Sequence, residues 1–127
     1  MQKRLLSILL LENMSEFIAL KKAENFAVRI TNAHKFLVEV KNERRISDQL
    51  YRSGTSVMAN LAEAQYAASE ADYINKVRIA LKEANESRQW IELLHKTGYL
   101  EDAVYGSILR DINEIIVILI AIVKPRK

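Results

Sequence analysis

Proline does not occur before position 125, and glycine occurs only three times in 127 residues, so almost nothing in this chain can break a helix or turn a short strand. Half the residues are apolar and 28% are charged. That balance lies far from the composition of disordered chains and supplies one modest core. The expectation is one all-α domain.

Apolar spacing divides the chain into four helical stretches. The first runs over 15–40, with Ala23, Phe26, Ile30, Ala33, Leu37 and Val40 in alternating three- and four-residue steps, and the polar run 41–45 interrupts it. Ser47 reads as the cap of the second, with Asp48 in a first turn where negative charge suits the helix dipole. Leu50, Gly54, Val57, Leu61 and Ala64 form its buried stripe, Arg52, Ser53, Ser56, Asn60 and Glu63 gather on other sides, and it ends near Tyr66. Ser69 caps the third, whose stripe is Tyr73, Val77, Ala80, Ala84, Ser87, Ile91 and Leu94, and Gly98 closes it with positive φ. The fourth begins near Glu101 and Asp102, uses Tyr105, Ile108, Leu109, Ile112 and Ile116, and stops before Pro125. Connections this short make neighbours antiparallel, which predicts an up-down-up-down four-helix bundle over 15–124 and a basic tail at 125–127.

Two apolar runs imitate membrane signals. Lys3 and Arg4 precede Leu5, Leu6, Ser7, Ile8, Leu9, Leu10 and Leu11 as in a secretory leader, but Glu12, Asn13 and Glu16 follow at once without a small-residue cleavage site. Met14 followed by Ser15, a helix cap, offers a natural start, with the preceding residues as upstream read-through. The other reading of 1–14 is a helical extension whose leucines pack on a neighbour. Ile115 to Val123 is apolar at nine successive positions, short of the roughly 20 that a span requires. A helix apolar all round is either the centre of the bundle or half core and half subunit interface.

Charge is lopsided. Residues 21–52 hold eight basic side chains against four acidic ones, whereas 53–123 hold six against ten. Lys21, Lys22, Arg29, Lys35, Lys41, Arg44 and Arg45 are the candidates for contact with phosphate, as positioning charges without base readout. Solvated charge runs are the plainer reading of such residues. Cysteine is absent, which removes disulfides, thiolate metal sites and cysteine nucleophiles and agrees with a reducing compartment such as the cytoplasm.

The search for catalytic chemistry returns little. There is no glycine-rich phosphate loop, no Cys/His metal spacing and no G-x-S-x-G elbow. Glu92 and His95 form one E-x-x-H pair, but di-iron bundles need two such pairs and two further carboxylates, so a helix-end histidine near terminal carbonyls is the stronger reading. Glu63, Glu83 and Glu86 could be paired acid/base carboxylates. Arg52, Arg88, Asn60 and Gln89 on the same helices instead offer them partners in a structural network. Trp90 amid Ile91, Leu93 and Leu94 reads as an anchor in the bundle or an interface. No metal, cofactor, small-molecule substrate or membrane is expected.

Gln49 to Ala64, QLYRSGTSVMANLAEA, resembles the Q-L-x-R-[AS]-x-x-S-[IV]-x-x-N-[IL]-A-E-[GA] signature of the bacterial S23, or 23S rRNA intervening-sequence, proteins. Ala80 to Leu100 is similar to that family's A-x-x-E-x-x-E-[ST]-x-x-W-[IL]-x-L-L-x-x-x-G-Y-[IL] segment. The chain departs in carrying Ala64 for the commoner glycine, in lacking an F-P-x-x-E turn before the second helix, and in residues 1–13. What the resemblance implies is a non-catalytic bundle that closes into a homo-oligomeric ring, often a pentamer, with a basic surface for RNA or DNA. Relatives serve as accessory proteins beside the reverse transcriptase of diversity-generating retroelements. It further implies that Gln49, Arg52, Ser56, Asn60 and Glu63, with Glu83, Glu86 and Trp90, hold the bundle and its subunit contacts. The competing expectation is a protein-protein scaffold or accessory subunit with little nucleic-acid affinity.

Overall fold

A computed structural model describes residues 2–125, with side chains from Met14 onward. It is a four-helix bundle of α1 (Gln2–Glu39), α2 (Arg45–Ala64), α3 (Glu70–Lys96) and α4 (Asp102–Val123), with no strand among the described residues. Each helix packs on its sequence neighbour, α4 packs back on α1, and the backbones of the diagonal pairs do not approach closely. With five residues in each connection, that arrangement is the antiparallel up-down-up-down topology.

The four stripes meet in one core of Phe26, Ile30, Leu37, Leu50, Val57, Val77, Ile91, Leu94, Ile108, Ile112, Ile115 and Leu119, all essentially inaccessible. Two residues depart from their expected places. Val40 is exposed because α1 has ended at Glu39, and Ser53, expected on a polar side, is buried against α3. There the Ser87 hydroxyl lies 2.8 Å from Ser53 Oγ and 2.9 Å from the Glu83 carbonyl it can also donate to. These small residues let α2 and α3 approach closely while their hydroxyls stay satisfied. The apolar run of α4 is half core: Ile115, Ile116 and Leu119 are buried, whereas Val117 and Ile120 are exposed.

Two expected helix starts are corrected. Ser15 caps nothing, because α1 runs through it without a break from Gln2. The helix is about 57 Å long against about 33 Å for α4, from the 1.5 Å rise per residue. The side chains of residues 1–13 and the tail residues Arg126 and Lys127 lie outside the described residues, and with them the expectation that the N-terminal leucines meet a neighbour.

Ser47 does not cap α2 either. Asn42 takes a left-handed conformation (φ 55°) after α1, which lets the Glu43 amide donate to the Leu37 carbonyl at 2.9 Å. The chain reverses so tightly that the buried Glu43 carboxylate reaches the start of α2 and accepts from the Ile46 and Ser47 amides, each at 2.8 Å. A carboxylate at the positive end of the dipole does what a serine was expected to do. The Ser47 hydroxyl is left buried without a hydrogen bond. In thermal denaturation Glu43→Ala should therefore lose about 1–2 kcal/mol, while Ser47→Ala should be neutral or stabilising by about 1 kcal/mol. The opposite ranking would return the cap to Ser47.

The other boundaries follow the sequence. Ser69 Oγ accepts from the Asp72 amide at 3.1 Å, and Asp72 Oδ2 accepts from the Ala68 amide at 3.0 Å. Gly98 has φ 87°, and α4 stops at Val123, ahead of Pro125.

Candidate nucleic-acid interface

The seven candidate cations fall into two sets. Lys22 and Arg29, two helical turns apart on α1, face α4, where Lys22 Nζ meets Glu114 Oε2 at 2.9 Å and Arg29 meets Asp111 Oδ2 at 2.7 Å. These two charges are already neutralised across the α1–α4 seam. Lys21 and Lys35 stand on the outer side of α1 with the exposed Val28 between them, and neither has an ion-pair partner among the described residues. Arg45 is likewise exposed and unpaired, Arg44 lies 3.9 Å from Asp48, and the Lys41 ammonium sits 5.9 Å above the Phe36 ring. The exposed basic strip is therefore densest at 41–45, where Lys41, Arg44 and Arg45 project, whereas on the outer side of α1 the exposed Glu24 and Glu39 share the face with Lys21 and Lys35.

The signature residues occupy a different place, the outer edge of the α2–α3 seam. Arg52 reaches across to Glu83 at 3.2 Å and also hydrogen-bonds Glu86, which accepts from Trp90 Nε1 at 3.1 Å. Asn60 donates to the Ser56 carbonyl at 2.9 Å. Glu63, for which the sequence offers Arg88 and Gln89 as partners on α3, instead accepts from Lys76 Nζ at 2.9 Å. That hydrogen bond, reinforced by the Glu63 charge, raises Lys76 above the ordinary lysine value of 10.5. Gln49 is exposed at the end of this ladder. The carboxylates are occupied by Arg52, Lys76 and Trp90, and Arg88 and Gln89, expected as partners, make none of these bonds.

Sequence reasoning missed what the two histidines do. His34 Nε2 donates to Asp48 Oδ1 at 2.7 Å and its ring stacks on Tyr51 at 4.7 Å. His95 Nε2 donates to Asp102 Oδ1 at 2.7 Å and stacks on Tyr105 at 3.8 Å. Because a carboxylate can only accept, the proton is placed on Nε2 in both. Each histidine sits near the end of one helix and locks onto the first turn of the next. The signal was present as two Asp-x-x-Tyr first turns, Asp48 to Tyr51 and Asp102 to Tyr105. His95 is therefore tied to a carboxylate rather than to terminal carbonyls. No cluster of three or more His, Asp or Glu suited to a metal ion occurs among the described residues, and no described helix is long and apolar enough to cross a membrane.

Between α1 and the α3–α4 turn lies an open groove of about 380 Å³. Its floor is Ala33, Leu100 and Ile108, its walls are Phe36, Tyr99 and Val104, and Arg29, Asn32, Lys41 and Glu101 stand at its rim.

Comparison with known proteins agrees with this architecture. No curated protein matches the chain. A solved structure of a protein of unknown function from the S23 ribosomal protein family of Bacteroides thetaiotaomicron VPI-5482 superposes with a TM-score of 0.85 at 49% identity, covering 87% of this chain and 99% of that one. The family model for 23S rRNA-intervening sequence proteins matches residues 15–121, from within α1 almost to the end of α4. This chain belongs to the 23S rRNA-intervening sequence protein family.

Proposed function

We propose that the chain is a non-enzymatic, cytoplasmic, homo-oligomeric bundle, closing as a pentamer, that holds RNA or an RNA-protein complex against the outer side of α1 and the 40–44 turn. The observation that carries the reading is the basic strip itself: Lys21, Lys35 and Arg45 are exposed without a carboxylate partner, and Lys41 and Arg44 project beside them. Elsewhere Glu114, Asp111, Glu83 and Glu63 are consumed in ion pairs. Phosphate contact by such charges fixes position and releases counterions without reading sequence. Self-association is supported by large apolar side chains left in the open on α4, Val117 at 66% and Ile120 at 49% exposure. No cofactor or small-molecule substrate enters this reading.

Binding to a structured RNA should weaken steeply from low to physiological salt, with the log-log slope falling by roughly 0.7–0.9 for each contact removed. Lys41→Glu, Arg44→Glu and Arg45→Glu together should lose most of the affinity and roughly two to three units of slope. A salt-independent affinity, or an unchanged triple variant, would remove the proposal. One observation favours a protein-protein scaffold instead: Lys22 and Arg29 are spent on Glu114 and Asp111. A scaffold would keep its partner after the triple charge reversal. An RNA binder would bind more tightly after Asp111→Asn and Glu114→Gln, which free those two cations.

A further inference from the structure

Phe36 is a large aromatic side chain, 45% exposed at the wall of a groove whose opposite wall, Val104, is 43% exposed. Isolated apolar residues on a surface mean little, but here they face one another over the buried Leu100 and Ile108, so the groove has apolar walls and floor beneath a polar rim. Its volume of about 380 Å³ is that of a small-molecule site and admits one planar group, not a helix. The Lys41 ammonium lies 5.9 Å over one face of the Phe36 ring, so that face is reached from solvent, and a base stacking on it would displace the ammonium toward the adjoining phosphate. The rim offers Asn32 and Glu101 as an amide and a carboxylate able to bond the edge of a heterocycle.

Charge identifies the occupant. Lys41 belongs both to this rim and to the turn that carries Arg44 and Arg45, so the groove opens at the end of the basic strip. An aromatic stacking face joined to a row of cations matches a single-stranded polynucleotide, in which a base and its phosphate alternate. We infer that the Phe36 groove receives one unpaired nucleobase of a bound RNA while Lys41, Arg44 and Arg45 hold the adjoining phosphates. The inference rests on the proposed nucleic-acid reading and adds single-strand selectivity to it. A duplex, whose bases are stacked internally, touches the strip and leaves the groove empty.

The test uses the full chain with two oligonucleotides of equal length, one single-stranded and carrying 2-aminopurine at successive positions, the other a duplex. Single-strand binding should change the 2-aminopurine fluorescence. Phe36→Ala should weaken it about tenfold, leave duplex binding unchanged, and be rescued by Phe36→Trp. Because Phe36 is half exposed, its variants should melt with the wild type, and a circular-dichroism melt checks this. If Phe36→Ala binds both oligonucleotides like the wild type while the triple charge reversal still abolishes binding, the groove proposal falls and the basic-strip reading stands. If the wild type binds neither, both fall. A groove that takes a Phe-bearing acidic peptide and no oligonucleotide also overturns it.

Discussion

Replacing Phe26 by alanine should lower the free energy of unfolding by about 3–5 kcal/mol, a large share of the roughly 5–15 kcal/mol a domain of this kind possesses. Phe26 is the bulkiest side chain fully enclosed in the core, and it sits on α1 among residues contributed by all four helices. Removing its ring deletes both the transfer free energy and the contacts of the surrounding atoms, and four helices tied by short turns have little freedom to collapse onto the hole. Urea denaturation at constant protein concentration reads the change as a lower midpoint with an unchanged slope. Phe17→Ala, on the outer side of the same helix, should shift an isolated protomer by no more than about 0.5 kcal/mol. A larger shift at Phe17 would show that this side is covered in the assembled protein, and a loss below about 1 kcal/mol at Phe26 would sink the account of the core.

Gly54→Val should cost about 3 kcal/mol, the second large effect. A β-carbon built on Gly54 meets Ile30 Cγ2 at 3.0 Å, Cγ1 at 3.2 Å and Cβ at 3.4 Å. Ile30 is wholly buried, and its branch point cannot turn aside, because rotation replaces one γ-carbon with the other. Gly54→Ala gains about 1 kcal/mol of helix propensity against this crowding, so its net change should be small. Valine adds two methyl groups with no such offset and must push α1 from α2. Equal stability of Gly54→Val and wild type would show that the spacing of these helices is set elsewhere.

Much of the fold was legible because α-helical periodicity and turn chemistry are local. All five stripe residues of α2 are buried, Ser69 caps α3, and Gly98 takes the expected positive φ. The misses share a cause: side-chain partners are decided by the reversal of the chain, which local pattern does not contain. Glu43 displaced Ser47 as a cap only because Asn42 turned the backbone through a left-handed residue. Ser53 is buried because a serine on α3, 34 residues later, accommodates it. The candidate site was legible as a local excess of positive charge. Which of those charges remain available was not, since Asp111 and Glu114 lie on α4, far along the sequence from Arg29 and Lys22.

The His34–Asp48–Tyr51 and His95–Asp102–Tyr105 locks lie at one pole of the bundle, where α1 turns into α2 and α3 into α4. Among the described residues no such histidine lock joins α2 to α3 at the opposite pole, where the Glu63–Lys76 ion pair ties them instead. Thermal opening should then begin at the pole held by that ion pair and travel toward the histidine locks, with amides around residues 65–69 exchanging before those of 97–101. The reverse order of exchange would mean that the locks impose no direction on unfolding.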